Sequence, residues 1–165
     1  MGHKQSQASA YSAAVRLLGM REHSRSELRQ KLATRGYESG EIEEALDRLT
    51  EQDYLNDSRF AQMVFRQYSD LGRAGTQRQM ERRGLDPGVW EPLVAQIDAD
   101  EESSRAFAAA SKKSGELPAD LRDYDQVIRW KRRAFSYLMR RGFSAATATS
   151  ALTQVLETHG SSSER

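Results

Sequence analysis

The chain has no cysteine in its 165 residues, which excludes disulfide cross-links and thiolate-bound metals. Histidine is almost as scarce. His3, His23 and His159 are the only three, two of them lie in the terminal stretches, and no metal-ligand spacing, nucleophile elbow or phosphate loop accompanies them. Paired acids such as Glu43-Glu44 and Glu101-Glu102 sit beside apolar helix stripes and read as solvated faces. Catalysis is not expected, and no cofactor or metal is implied. No apolar run approaches the roughly 20 residues of a membrane span, and the start of the chain has no signal-peptide core. A soluble, cytoplasmic chain without a membrane partner is therefore expected. Strand-like alternation is missing as well, which leaves an all-α fold.

An excess of one charge is also lacking. The net charge is +1, so bulk charge names no partner. Hydrophobic residues make up 38% and charged residues 30%, with a mean hydropathy of −0.78. That is thin for a compact globule and suits an extended array of small helical bundles. The distribution of charge says more than its sum. Residues 38–53 hold seven acids against Arg48 alone, whereas residues 129–141 hold six basic residues and no acid.

What the chain does have is a repeated pattern. It appears first as Leu28, Leu32, Gly36, Tyr37, Ile42, Leu46, Leu49. It returns as Met80, Gly84, Leu85, Trp90, Val94, Ile97, and again as Leu138, Gly142, Phe143, Ala148, Leu152, Val155. Apolar residues one turn apart lie on one helix face. The glycine supplies the left-handed residue that ends the helix, and the apolar residue after it folds back on the last turn. Recurrence at about 50 residues indicates stacked supersecondary units. The reading is three tandem three-helix repeats, nine helices in all, spanning residues 8–53, 54–97 and 98–158. Tails at 1–7 and 159–165 are expected to be disordered.

Start signals place the helices. The first runs from Ala8 to about Met20, with Tyr11, Val15 and Leu18 on one face and Leu17 beside it. Ser24 with Glu27 forms a capping box before the second, which stops at Gly36, and the third covers Gly40 to Gln52. Asn56 caps a fourth helix carrying Phe60, Val64 and Tyr68 inward. Gly72 and Gly75 read as a flexible junction before a short fifth helix that ends at Gly84. That glycine spacing matches an RNA-clamping loop, but such a loop needs strands beside it. Asp86-Pro87 opens the sixth helix, which runs to about Ile97. Asp98 with Glu101 opens the seventh, through Phe107, and Lys112 to Asp125 reads as the longest loop. The eighth helix ends at Gly142, and Ser144 caps the ninth, Ala145 to Thr158.

Each triplet resembles a DNA-reading helix–turn–helix in outline, but the chemistry opposes that use. A recognition helix needs basic and amide side chains, and the third helix of the first repeat carries Glu41, Glu43, Glu44, Asp47 and Glu51. The cations lie on the middle helices instead: Arg25, Arg29, Lys31 and Arg35, then Arg78, Arg82 and Arg83, then the group from Arg129 to Arg141. At 100° per residue, Arg129, Arg133 and Arg140 fall within about 40° of one another. They lie roughly opposite Val127, Phe135 and Leu138, flanked by Arg132 and Ser136. A face with no mixed signs suits a polyanion or an acidic protein. The candidate contact residues are Arg129, Arg132, Arg133, Arg140, Arg141, Arg78, Arg82, Arg83, Arg25 and Arg29.

Four stretches resemble the RecX family, regulators of the bacterial recombinase RecA. They are Ser24 to Leu32 with Arg35-Gly36-Tyr37, then Tyr54-Leu55-Asn56-Asp57-Ser58-Arg59-Phe60-Ala61, then Arg78 to Gly84, and Leu138 to Phe143. The chain departs from the family at Asp53, where glycine is usual before the Tyr-Leu pair, and at Gly72 to Thr76, where a Gly-Pro-x-Arg-Ile pattern is usual. An aspartate tolerates a left-handed cap. The resemblance implies an elongated, curved array of three-helix repeats, with Leu28, Leu32, Gly36, Tyr37, Tyr54, Leu55, Asp57, Phe60, Met80, Gly84, Leu138, Gly142 and Phe143 as structural positions. It further implies a monomeric negative regulator that lies in the groove of the RecA–single-stranded-DNA filament, suppressing ATP hydrolysis, strand exchange and co-protease activity. Such a protein would touch single-stranded DNA weakly or through RecA and would act in recombination, DNA repair and the SOS response. The alternative is a non-specific nucleic-acid-binding helical module that acts without RecA.

Overall fold

The computed structural model describes residues 9–113, 116–118 and 120–162. Among these residues there are nine α-helices and no strand. They are α1 (Ala10–Met20), α2 (Arg25–Thr34), α3 (Ser39–Glu51), α4 (Asp57–Gln67), α5 (Arg73–Arg82), α6 (Pro87–Val94), α7 (Ala99–Ser111), α8 (Tyr124–Arg140) and α9 (Ala145–Ser162). The expected tail at 1–7 lies outside the described residues.

The helices stop by one device. At the end of α2, the Tyr37 N–H reaches back to the Leu32 carbonyl at 3.3 Å and the Gly36 N–H to Ala33 at 2.9 Å. The same pair of bonds ends α5, from Leu85 to Met80 and Gly84 to Glu81, and α8, from Phe143 to Leu138 and Gly142 to Met139. This geometry needs a left-handed residue after the last turn. Gly36, Gly84 and Gly142 supply it with φ of 84°, 63° and 83°. A fourth copy ends α3, where Asp53 takes the left-handed position at φ 56° and Tyr54 bonds back to Leu49 at 2.9 Å. The local pattern in the sequence is therefore a chain of identical stops.

Helix starts are equally local. Ser24, Asp98, Asp123 and Ser144 accept from the backbone N–H three residues on, as Asn56 does from Arg59, which satisfies donors that the helix leaves unpaired. At α6, Asp86 caps through Gly88 and Pro87 takes the first helical position.

The described residues form two compact units, 9–64 with 80–90 and 65–79 with 91–162. In the first, α1, α2 and α3 pack on one another around Ala13, Ala14, Leu17, Leu28, Leu32, Ile42, Leu46, Leu49 and Leu55. Phe60, Met80, Leu85 and Trp90 are buried as well. In the second, α7, α8 and α9 enclose Ala106, Ala109, Ala110, Trp130, Ala134, Leu138, Phe143, Ala148, Ala151, Leu152 and Val155. Each large apolar side chain so removed from water contributes about 1.5–3 kcal/mol.

Several expectations need correction. α1 buries Ala10, Ala13, Ala14 and Leu17, not the Tyr11–Val15–Leu18 face, and Val15 is exposed. Alanines let α1 lie close against α3, while Tyr11 spans the rim. Its hydroxyl donates to Gln52 at 2.6 Å and its ring lies 4.3 Å from the Arg48 guanidinium. Tyr68 falls beyond the end of α4 and is half-buried. Gly75 is no junction but part of the first turn of α5, buried where a Cβ would overlap the Arg141 carbonyl. α6 ends at Val94 because Gln96 and Ile97 bond back only three residues, tightening the last turn. α7 continues past Phe107 to Ser111, burying Ala109 and Ala110. The buried stripe of α8 is Trp130, Ala134 and Leu138, with Val127 and Phe135 half-buried beside it. α9 runs beyond Thr158 to Ser162, as Gly160 takes no left-handed turn and the Thr158 hydroxyl bonds the Gln154 carbonyl.

Candidate functional site

The arginines proposed from the sequence fall into two chemical groups. The first group is occupied by acids of its own unit. Arg25 donates to Glu43 at 2.8 Å and to Asp47 at 2.6 Å. Arg29 holds Glu43 through two bonds, at 2.5 and 3.0 Å. The acids of α3 thus face the cations of α2. With Arg29 and Arg25 both donating to it, the Glu43 carboxyl is lowered from 4.5 to about 2.

Arg83 joins a second cluster at the start of α2. It meets Glu27 at 3.1 Å and its guanidinium lies 6.0 Å from the Phe60 ring. Glu27 also accepts from Arg21 and from His23 Nδ1, each at 3.0 Å. Burial works against ionised Glu27, but the bonds from His23, Arg21 and Arg83 outweigh it and hold the carboxyl below its ordinary value. His23 is 2% exposed, and burial pushes its pKa below 6.5 against the pull of Glu27. The neutral ring with its proton on Nδ1 fits that contact. Ser24 donates to the Arg83 carbonyl, which ties the end of α5 to the start of α2.

The Tyr54–Ala61 motif serves the same first unit. Asp57 accepts the first N–H of α2, from Arg25, at 2.8 Å. Its burial raises the carboxyl pKa in spite of that bond. Arg59 reaches the Tyr54 and Asp53 carbonyls and pairs with Glu22 at 3.2 Å. Phe60 is fully buried and Leu55 nearly so, whereas Tyr54 is 62% exposed.

In the second unit, Arg141 pairs with Asp70 and stacks 5.0 Å from the Tyr137 ring. Its carbonyl accepts the Gly72 N–H at 3.1 Å. Arg78 donates to the Arg140 carbonyl at 3.2 Å and is itself exposed. Arg82, which belongs to the first unit, is exposed too.

The other group lies on α8. Arg129, Arg132, Arg133 and Arg140 are all exposed, and among the described residues no carboxylate pairs with any of them. Arg132, Arg133 and Arg140 line one open cleft of about 440 Å³ with Lys113, Tyr137 and Ser136. Its one acid, Glu116, is taken by Lys113 at 2.6 Å. What remains is a row of guanidinium groups able to meet phosphates or carboxylates bidentately. Among the described residues there is no group of His, Asp and Glu fit to hold a metal. No helix among them is long and apolar enough to cross a membrane.

A family model described as "RecX, first three-helix domain" matches residues 10–49. The regulatory protein RecX of Corynebacterium efficiens is 35% identical over 150 residues, covering 87% of this chain and 70% of that protein. The regulatory protein RecX of Syntrophotalea carbinolica is 38% identical over 139 residues, covering 83% of this chain and 90% of that protein. The chain belongs to the RecX family. The crystal structure of RecX from Lactobacillus salivarius superposes with a TM-score of 0.70 at 19% identity, over 88% of this chain and 94% of that one. The RecX fold is thus shared where most of the sequence is not, and the role that goes with membership is that of a regulatory protein.

Sequence reasoning missed the division of the arginines into paired and unpaired. Its one trace was the acid-rich stretch at 38–53, which complements the cations of α2 within one module.

Proposed function

We propose that this RecX-family chain restrains RecA by binding its filament on single-stranded DNA, as a monomer, and that α8 is a principal contact. The unpaired row Arg129, Arg132, Arg133 and Arg140 carries the assignment of the surface. A regulator that must grip an anionic assembly needs cations not already held in ion pairs by its own acids. Among the described residues α8 has them, with Asp123 and Glu116 acting on Arg129 and Arg133 only through space. Arg78 and Arg82, exposed on α5, are secondary candidates. Arg25, Arg29, Arg83 and Arg141 already hold carboxylates, so recruiting them would require breaking those pairs.

The decisive measurement is single-stranded-DNA-dependent ATP hydrolysis by RecA with increasing amounts of this protein. Inhibition is expected well below one molecule per RecA monomer. Full activity at equimolar protein would refute the proposal. The module acting without RecA would reveal itself by tight binding to naked DNA with a steep salt dependence, and weak binding to DNA alone beside strong recruitment to filaments eliminates it.

A further inference from the structure

Between α8 and α9 lies an open groove lined by Lys131, Arg132, Phe135, Thr149, Leu152 and Thr153. Leu152 belongs to the core of the second unit and Phe135 packs against it, so the apolar lining is held rigidly. The threonines are less polar than their names suggest. Thr149 donates its hydroxyl to the Ala145 carbonyl at 2.8 Å, and Thr153 donates to Thr149 at 3.1 Å. With both protons spent on the helix backbone, neither hydroxyl has one left for a ligand. The volume is about 260 Å³, below the range of about 300–1,000 Å³ usual for small-molecule pockets and suited to one large side chain.

Charge specifies the occupant further. Residues 145–156 of α9 contain no charged side chain. The two charged lining residues, Lys131 and Arg132, are exposed cations, and no carboxylate among the described residues pairs with either. A nucleobase would find no exposed flat ring to stack on, because Phe135 is half-buried against the core, and no free hydroxyl proton for its edge. An apolar side chain on an acidic backbone segment meets everything present.

We propose that this groove docks an acidic protein segment that inserts one aromatic or large aliphatic side chain against Phe135 and Leu152 while its carboxylates meet Lys131 and Arg132. The inference rests on the reading of α8 as a contact helix, and it names the partner at this place as protein rather than nucleic acid.

The test uses the full chain and three fluorescent probes: an acidic heptapeptide of Asp and Glu with a central Phe, its Phe-to-Ala counterpart, and an oligothymidylate of equal charge. The Phe peptide is expected to bind at least about tenfold more tightly than the Ala peptide, the increment for burying one aromatic side chain. Thr153→Trp fills the groove without altering charge and should reduce the Phe peptide to the affinity of the Ala peptide. Joint Lys131→Glu and Arg132→Glu should weaken both peptides and flatten their salt dependence. Equal binding of the two peptides to the parent chain, or none, overturns the proposal without recourse to any variant. An oligothymidylate that displaces the Phe peptide and is itself weakened by Thr153→Trp also overturns it, in favour of nucleic acid. RecA assays separate the two readings. A chain that selects the Phe peptide yet leaves ATP hydrolysis untouched sinks the filament proposal and keeps the groove.

Discussion

Glu43 shows how much a single side chain can commit. Two arginines converge on it, and its carboxyl titrates near 2 in the folded chain, against 4.5 ordinarily. A depressed carboxyl means that the unfolded chain takes up the proton first. The stabilisation is therefore complete above pH 4.5 and is lost as pH falls towards 2. Glu43 is 42% exposed, so solvent limits its worth to about 1 kcal/mol at most. Glu43→Gln should flatten the acid limb of a plot of melting temperature against pH. His23 acts in a different window. Its lowered pKa means that the unfolded imidazole protonates before the folded one, so stability drops as pH falls below 6.5. His23→Asn keeps an N–H donor for Glu27 and removes the titration. Melting temperatures between pH 7.5 and 5.5 should then lose their slope, at the cost of lower stability throughout. The cap at Ser24 could be read directly from the sequence, since it lies three residues from its partner. The Asp57 bond to α2 could not, with its ends 32 positions apart.

At the scale of elements, the four matching helix stops were legible because each is closed within six residues. Asp53 was expected to stand in for glycine, and its φ of 56° agrees. Gly75 was misread because nothing local distinguishes a flexible glycine from one crowded by distant backbone. A methyl group on Gly75 would overlap the Arg141 carbonyl. Gly75→Ala should therefore cost about 3 kcal/mol or more, visible as an early denaturation midpoint, whereas Gly40→Ala, inside α3 with nothing within 4 Å, should be tolerated and stabilise by up to about 1 kcal/mol. For α8 the exposure of Arg129, Arg133 and Arg140 could be read from spacing, and their lack of an ion pair among the described residues could not. Arg141, next to them in sequence, pairs with Asp70 from 71 residues away. Reversing Arg129, Arg133 and Arg140 to glutamate should shift stability by less than about 0.5 kcal/mol each. Inhibition of RecA should fall at least about tenfold at moderate salt, and by less at high salt as the charges are screened. A well-folded triple variant that inhibits like its parent would show the row to be plain solvated surface.

At the scale of the molecule, the chain is a RecX-family member whose charge is nearly balanced in sum and unbalanced in place. Acids of the first unit pair with the arginines beside them, whereas among the described residues no carboxylate forms an ion pair with Arg129, Arg132, Arg133 or Arg140 of α8 in the second unit. Each unit also carries one of the two tryptophans. Trp90, 6% exposed, is buried with its indole N–H unpartnered among the described residues, whereas Trp130 donates to the Lys113 carbonyl at 2.9 Å. An indole with no hydrogen bond emits further to the blue than one that makes it, so the colour of the fluorescence labels the unit. Trp130→Phe gives up a satisfied bond and should cost about 1 kcal/mol more than Trp90→Phe, which removes an orphaned donor. A denaturant titration that watches the two emissions separately would then give each unit its own unfolding midpoint, with no label beyond what the sequence already contains.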